Sequence, residues 1–152
     1  MNGRRKKIAL VGSHGGHLTE ILALRPAFEG HDTFFITYEG ASSAALSPAY
    51  RIKKFHDHPL RVFTVWAEIF RILRKERPDV VFSTGSEIAI PVFYLAKFFF
   101  RCRLIYLECS AQVSTPSVTG RVVYPITDLF LVQWKPLLEK YGQCAAYRGG
   151  LI

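Results

Sequence analysis

The sequence predicts an α/β fold: a Rossmann-like parallel sheet with helices on both faces. Short apolar runs alternate along the chain with longer stretches whose apolar residues recur at helical spacing. The short runs are apolar throughout, as in Ile8–Val11, which is typical of strands buried on both faces. A glycine-rich turn directly follows that first run. The chain has 152 residues and no evident linker or repeat, so we expect residues 1–152 to form a single domain.

The predicted elements follow in order along the chain. Strands are expected where a short apolar run is bounded by turn residues: Lys7–Val11, Thr33–Thr37, Tyr50–Phe55, Val80–Ser83, Leu104–Leu107 and Leu129–Gln133. Helices are expected where apolar residues recur every three or four positions: Leu18–Phe28, Val62–Lys75, Ile88–Arg101, Val118–Tyr124 and Pro136–Tyr141. Pro78 ends the second helix, and the Gly-, Ala- and Ser-rich stretch Tyr38–Pro48 is predicted as a loop.

The composition narrows the possible partners. The net charge is +8, and basic residues cluster near the N-terminus and near positions 71–77 and 97–103. An anionic membrane surface, a phosphorylated substrate and a solvated basic face all fit this charge. Nucleic acid is not expected, because the aromatic residues lie in apolar runs and do not alternate with Lys and Arg. The hydrophobic fraction of 49%, with twelve Phe, suggests that some apolar surface meets a partner or a membrane.

The cysteines, the histidines and the lengths of the apolar runs indicate the cellular compartment and whether a cofactor is expected. Three cysteines without paired spacing favour a reducing cytoplasm and no structural disulfide. The basic N-terminus has no apolar signal-peptide region, and the run from Ile88 to Phe100 is too short to span a bilayer. His56 and His58 lack zinc-ligand spacing and are interpreted as polar loop residues. We therefore expect no metal and no cofactor.

The turn after the first strand is the main candidate for ligand binding. Its pattern, Gly-x-x-Gly-Gly-His, lacks the second glycine of a dinucleotide fingerprint and the Gly-Lys-Ser/Thr of a P-loop. A strand, a tight turn and a helix start would direct backbone N–H groups at one point, which suits a phosphate or pyrophosphate. A sharp turn without a ligand is the alternative. The residues expected to contact the phosphates are Gly12, Ser13, His14, Gly15 and Gly16.

Other polar residues follow the later strands. Ligands of parallel α/β sheets bind at the carboxyl ends of the strands. Besides the glycine turn, those ends carry Glu39, residues 83–87 and residues 108–110. Glu39 lies about where a dinucleotide-binding fold places its ribose-binding acid, so an NAD-type oxidoreductase is one alternative. The broken glycine pattern and the short chain oppose it.

Four segments, in the same order, resemble a known family. Residues 12–20 (GSHGGHLTE) resemble the N-terminal loop of the MurG-like GT-B glycosyltransferases. Residues 82–91 (FSTGSEIAIP), 105–111 (IYLECSA) and 124–134 (YPITDLFLVQW) are similar to segments of the bacterial PssD- and EpsE-like proteins. These are relatives of the membrane-anchoring subunit of the dolichol-linked GlcNAc transferase. Cys109 and Gln112 depart from the family pattern, where Ser and Arg are more common.

The resemblance implies the N-terminal, acceptor-binding half of a GT-B glycosyltransferase. A second chain, PssE- or EpsF-like, would supply the half that binds the UDP-sugar at a shared cleft. The implied acceptor is a polyprenyl-pyrophosphate-linked sugar in exopolysaccharide or capsule assembly. The implied location is the cytoplasmic face of the membrane, with peripheral attachment. A non-catalytic membrane scaffold that recruits and activates a separate catalytic subunit is the alternative.

Individual residues have competing interpretations. His17 is a candidate catalytic base, a phosphate contact or a plain first-turn residue. Glu108 is expected to face the cleft, because it directly follows a parallel strand, and is the second candidate for a catalytic role. Glu87 fits a role in the cleft, or closes a capping box with Thr84. The remaining predicted acceptor contacts are Thr84, Gly85, Ser86, Glu87 and Ser110. With no Asp-x-Asp pattern, an inverting and metal-independent transfer is expected.

The two longest helices allow two interpretations. Val62–Lys75 has a wide apolar arc followed by basic residues, and Ile88–Arg101 is apolar on nearly every side. Either helix could be buried in the core, or could present a surface that lies in the headgroup region of a membrane.

Overall fold

A computed structural model describes residues 4–40, 44–53 and 61–151, and within them seven strands form one fully parallel sheet. The spatial order is β3-β2-β1-β4-β5-β6-β7. The strands are β1 (Lys7–Val11), β2 (Asp32–Tyr38), β3 (Ala49–Ile52), β4 (Val80–Ser83), β5 (Arg103–Leu107), β6 (Leu129–Val132) and β7 (Ala145–Tyr147). The predicted α/β class with a Rossmann-like parallel sheet is therefore confirmed.

Helices cover the sheet unevenly. They are α1 (Gly16–Ala23), α2 (Arg61–Glu76), α3 (Ala89–Phe100), α4 (Val118–Val123) and α5 (Pro136–Tyr141), with short 3-10 helices at Arg25–Phe28 and Tyr124–Ile126. In β1, Ala9 and Val11 belong to the core on the side of α2 and α3, whereas Ile8 and Leu10 belong to the core beneath α1. This alternation is the two-residue period of a strand buried on both faces.

The face that holds α1 is the less completely covered of the two. There, an apolar cavity of about 360 Å³ lies beside Phe28 and over β5 and β6. Its floor includes Ile105, Leu129 and Leu131, and residues 148–151 line it as well. We call this feature the C-terminal groove.

Most predicted elements agree with the structure to within two residues, but three differ. The predicted helix Leu18–Phe28 is split: α1 ends at Ala23, and a separate 3-10 helix begins at Arg25 and contains Pro26, which lacks an N–H. The predicted strand Tyr50–Phe55 is observed as β3, and its last two residues lie outside the described ranges, as do His56 and His58. The sequence did not indicate β7, whose Ala-Ala-Tyr has no apolar run.

The sheet register brings three loops to one edge. Val11 pairs with Ser83, and Ser83 pairs with Tyr106. The loops that follow β1, β4 and β5 therefore emerge side by side at the carboxyl ends of the strands. Within the described residues, no helix combines the length and the apolar character needed to cross a bilayer.

Candidate functional site

The glycine turn connects β1 to α1 by a path that requires small residues. A Cβ on Gly12 would lie 2.8 Å from Cδ1 of the buried Ile21, so Gly12 lets the turn pack against α1. Gly15, at φ +93°, occupies a conformation that favours glycine. A Cβ on Gly15 or Gly16 would meet no atom within 4 Å. The turn is therefore packed at Gly12 and open to solvent at Gly15 and Gly16.

The N-terminus of α1 presents backbone donors at this open turn. The Thr19 N–H donates to the Gly15 carbonyl at 3.1 Å in the first turn of α1. The amides of Gly16, His17 and Leu18 precede that bond at the positive end of the helix dipole. This arrangement can bind an anion such as a phosphate.

The His17 ring is held in one orientation by the loop after β4. Its Nδ1 lies 3.0 Å from the Thr84 carbonyl oxygen, and Thr84 Oγ1 donates to the His17 carbonyl at 2.8 Å. Because a carbonyl only accepts, Nδ1 donates and the tautomer leaves the lone pair of Nε2 free. A Cβ on Gly85 would lie 2.6 Å from Cε1 of the ring, so glycine is needed there. His17 therefore has the orientation and the free nitrogen of a potential base.

The loop after β4 is not the predicted capping box. Helix α3 begins at Ala89 with Ile88 as its N-cap and no side-chain cap, while Thr84 contacts His17 instead. The capping-box interpretation is therefore wrong. Gly85 and Ser86 both have positive φ, at 126° and 84°. Glu87 is half-buried beside Tyr38, whose pKa is raised by burial and, secondarily, by the charge of Glu87.

Glu108 does not face the cleft. Its side chain is 0% exposed, and Tyr141 Oη and the backbone amides of Ser117 and Cys109 donate to its carboxylate. Burial and the neighbouring carboxylate raise the pKa of Tyr141, which keeps that hydroxyl a donor. A buried carboxylate satisfied by three donors cannot reach a substrate hydroxyl. The prediction of an exposed, catalytic Glu108 is corrected to a structural role that ties β5 to α4 and α5.

Glu20 was missed in the sequence and lies next to the site. It is 7% exposed, and its Oε1 accepts from the Ser110 amide at 2.7 Å and from Gln133 Nε2 at 3.2 Å. Gln133 also donates to the Glu108 carbonyl at 3.1 Å. The available signal was spacing, because a residue three positions after His17 shares its face of the helix. Through Glu20, α1 is connected to the ends of β5 and β6.

The remaining predicted residues occupy different parts of the edge. Ser13 lies half-buried in the turn. His14 is half-buried beside Gly40, where a Cβ on that glycine would lie 3.3 Å from His14 Nδ1. That nitrogen is buried and has no hydrogen-bond partner among the described residues. Ser110 contributes its backbone, since its carbonyl accepts from Trp134 Nε1 at 2.7 Å.

Comparison with known proteins identifies the family. Residues 59–151, more than half of the chain, match the family described as "Oligosaccharide biosynthesis protein Alg14 like". The chain belongs to this Alg14-like family. The match contains the loops after β4 and β5, and it begins after the glycine turn.

Individual relatives extend the likeness over the Alg14-like chain. The human "UDP-N-acetylglucosamine transferase subunit ALG14" is 26% identical over 95% of this chain and 82% of its own length. The subunit of the same name from Debaryomyces hansenii is 42% identical over 49% of this chain, but only 34% of its own length is matched. A Clostridium botulinum "UDP-N-acetylglucosamine--N-acetylmuramyl-(pentapeptide) pyrophosphoryl-undecaprenol N-acetylglucosamine transferase" is 29% identical over 88% of this chain and 41% of its own. The chain therefore spans less than half the length of some relatives.

Solved structures establish the fold of the Alg14-like chain. MurG from Acinetobacter baumannii superposes with a TM-score of 0.78 over 95% of this chain and 46% of the MurG chain, at 15% identity. The Staphylococcus aureus MnaA structure with UDP gives a TM-score of 0.72 over 96% of this chain and 45% of its own. The fold is thus that of the GT-B N-terminal half.

Proposed function

We propose that this chain is the acceptor-binding subunit of a two-chain UDP-sugar glycosyltransferase that acts on a polyprenyl-pyrophosphate-linked sugar. The observation that carries the proposal is the open glycine turn, where the first amides of α1 lie next to a histidine with an oriented ring. The pyrophosphate would bind at the amides of Gly16, His17 and Leu18.

The chemistry follows from this position. His17 Nε2 removes the proton from the acceptor sugar's hydroxyl as that oxygen attacks the anomeric carbon of the donor. A carbon–oxygen bond forms with inversion, the bond to the UDP oxygen breaks, and the diphosphate leaves with the electron pair. Donors of the second chain would stabilise the charge on the departing diphosphate, so the proposed transfer needs no metal.

Two features support a second chain. Gly15 and Gly16 are exposed, so the edge is one open wall of a cleft and not an enclosed pocket. The superposition covers 46% of the MurG chain, so MurG is about twice as long as its matched part. Several relatives are named as subunits. We propose a PssE- or EpsF-like donor-binding partner whose apolar helix or strand covers the C-terminal groove, with UDP-GlcNAc as the first donor to test.

An aromatic and basic surface supports peripheral membrane binding. Phe63 of α2 and Phe98 and Phe99 of α3 are 75%, 65% and 66% exposed. A cavity of about 570 Å³ between the ends of the two helices is lined by aromatic rings and basic side chains, among them Arg74 and Arg101. Exposed Phe with surrounding Arg suits an anionic leaflet. We call this the aromatic–basic flank, and we propose that it attaches the chain to the cytoplasmic face of the membrane.

The test is reconstitution with the donor-binding chain, UDP-GlcNAc and a polyprenyl-pyrophosphoryl sugar. We expect no transfer by either chain alone, and transfer by the pair. His17→Ala in the pair should lower kcat by about 10²–10⁴-fold if His17 is the base. His31→Ala is the control, because His31 accepts from the Lys6 amide at the opposite edge of the sheet.

The outcomes separate the two candidate roles. Transfer by the isolated chain would contradict the two-chain proposal. If the pair containing His17→Ala assembles normally and keeps the wild-type kcat and acceptor KM, the scaffold role would be the better description. A raised acceptor KM with unchanged kcat would make His17 a phosphate contact instead of a base.

A further inference from the structure

Three side chains that can ligate a metal meet beside the glycine turn. A ring nitrogen of His17, a carboxylate oxygen of Glu20 and Cys109 Sγ all lie within 4.8 Å of one another. His17 and Glu20 share one face of α1, and Cys109 comes two residues after β5 ends. Glu20 is buried while His17 and Cys109 are half-buried, so the cluster has a protein floor and an accessible mouth.

One atom of this cluster needs a partner. Glu20 Oε2 is buried and has no N–H or O–H donor among the described residues, whereas Oε1 accepts two hydrogen bonds, and the Cys109 thiol is the group beside this carboxylate that can donate to it. An unsatisfied carboxylate oxygen is costly to bury, and a bound cation removes that cost. A cation bound between this carboxylate and Cys109 Sγ would take the place of the thiol proton and satisfy the buried oxygen.

The surrounding hydrogen bonds are those of a metal site. The Nδ1–H of His17 donates to the Thr84 carbonyl, which fixes the ring and leaves Nε2 to coordinate. Glu20 Oε1 is held by Ser110 and Gln133, which leaves Oε2 to coordinate. Imidazole, carboxylate and thiolate together favour zinc over magnesium or calcium.

We propose that His17, Glu20 and Cys109 bind one Zn²⁺ ion, with the fourth coordination position open to the carboxyl edge. Because the ion would occupy Nε2 of the proposed base His17, bound zinc would inhibit transfer by the paired chains. The binding proposal does not depend on the proposed function, because binding is measured on this chain alone.

The experiment uses the tag-free, metal-free chain titrated with Co²⁺ as a spectroscopic substitute for zinc. We expect one ion per chain with a thiolate-to-cobalt charge-transfer band, which Zn²⁺ then displaces. Cys109→Ser should abolish the band, and Glu20→Gln should weaken Zn²⁺ binding at least about tenfold. Cys144→Ser is the matched control, because Cys144 is an exposed cysteine outside the cluster. His56 and His58 cannot produce the band, since it requires a thiolate.

A second measurement needs no variant. Zn²⁺ should protect Cys109, and not Cys144, from alkylation by a thiol reagent, as measured by peptide mass spectrometry. A missing band, a band that survives Cys109→Ser, or equal alkylation of Cys109 with and without zinc would each overturn the proposal. None of these results bears on whether the paired chains transfer sugar.

Discussion

Glu108 accepts hydrogen bonds from three donors, whereas His17 keeps one ring nitrogen free. The two residues lie at the same edge of the sheet, after β1 and β5, and their surroundings give them different roles. The sequence places both residues correctly after a strand, because strand ends follow from apolar runs. It does not show which way the side chain turns, because that depends on Tyr141 and Ser117, which come from later parts of the chain.

The structural role of Glu108 predicts a loss of stability in Glu108→Gln. The amide nitrogen of Gln cannot accept, so at least one buried donor loses its partner, at a cost of about 1–3 kcal/mol. Urea unfolding measures the change, and Glu139→Gln on the exposed surface of α5 is the control. Equal stability of the two variants would show that the buried bonds contribute little.

Substitutions at the two ends of the glycine turn are expected to affect different properties, stability at Gly12 and acceptor binding at Gly16. Gly12→Ala should cost about 1–3 kcal/mol of stability, because its methyl group overlaps the buried Ile21. Gly16→Val should unfold like the wild type, because its side chain meets open space. In the paired enzyme, Gly16→Val should raise the acceptor KM and leave the donor KM unchanged, because its side chain would stand where the pyrophosphate approaches. A wild-type acceptor KM would mean that the turn has no ligand role.

At the scale of elements, the predictions succeed where the local signal is strong. Strands β1 and β4 and helix α5 match their predicted bounds, because apolar runs and an N-terminal proline are local features. Strand β7 has no such signal, and it forms only because β6 offers an edge for pairing. Likewise, α3 starts at Ala89 without a capping side chain, and Thr84 bonds to α1 instead.

Helices α2 and α3 are each buried on one face and carry exposed aromatic residues on another. Their inner faces are core, as at Ile69 and Phe93, while Phe63, Phe98 and Phe99 are exposed. The periodicity of α2 indicates one buried face but not what the opposite face contacts. In α3, apolar residues occur on nearly every side, so the sequence does not indicate which face is buried.

The exposed rings predict weaker vesicle binding in the double variant Phe98→Ser/Phe99→Ser. Burying a Phe contributes about 1.5–3 kcal/mol when complete, so the partition coefficient should fall at least about tenfold. Sedimentation with anionic vesicles at low salt measures it. Leu22→Ser is the control, because Leu22 is exposed on α1, which packs on the opposite face of the sheet from α2 and α3. Equal binding by both variants would place the membrane contact elsewhere.

At the scale of the whole molecule, the uneven covering of the sheet is the main feature. One face is closed by α2 to α5, and the other leaves the C-terminal groove over β5 and β6. The alternation of strands and helices predicts both faces but not this gap, because helix lengths and packing angles are set by tertiary contacts.

The groove predicts a pairing defect in Leu129→Asn. Leu129 is half-buried at the start of β6, so the isolated chain should fold, while the partner would have to bury an amide. Calorimetric titration with the donor-binding chain should show at least about tenfold weaker pairing. Phe98→Asn, on the other face, should pair normally. Unchanged affinity in Leu129→Asn, with a normal melt, would mean that the partner does not use the groove.

The aromatic–basic flank runs along two helices that lie antiparallel to the strands. With this flank resting on a bilayer, the strands would lie parallel to the lipid surface, and the carboxyl edge with its glycine turn would face sideways along the membrane. The isoprenoid chain of an acceptor would then stay in the hydrocarbon, avoiding an extraction cost of about 0.8 kcal/mol for each CH₂ exposed to water. Enzyme and acceptor would meet by lateral diffusion, so their encounter rate would depend on the number of acceptors per unit membrane area and not on a concentration in water.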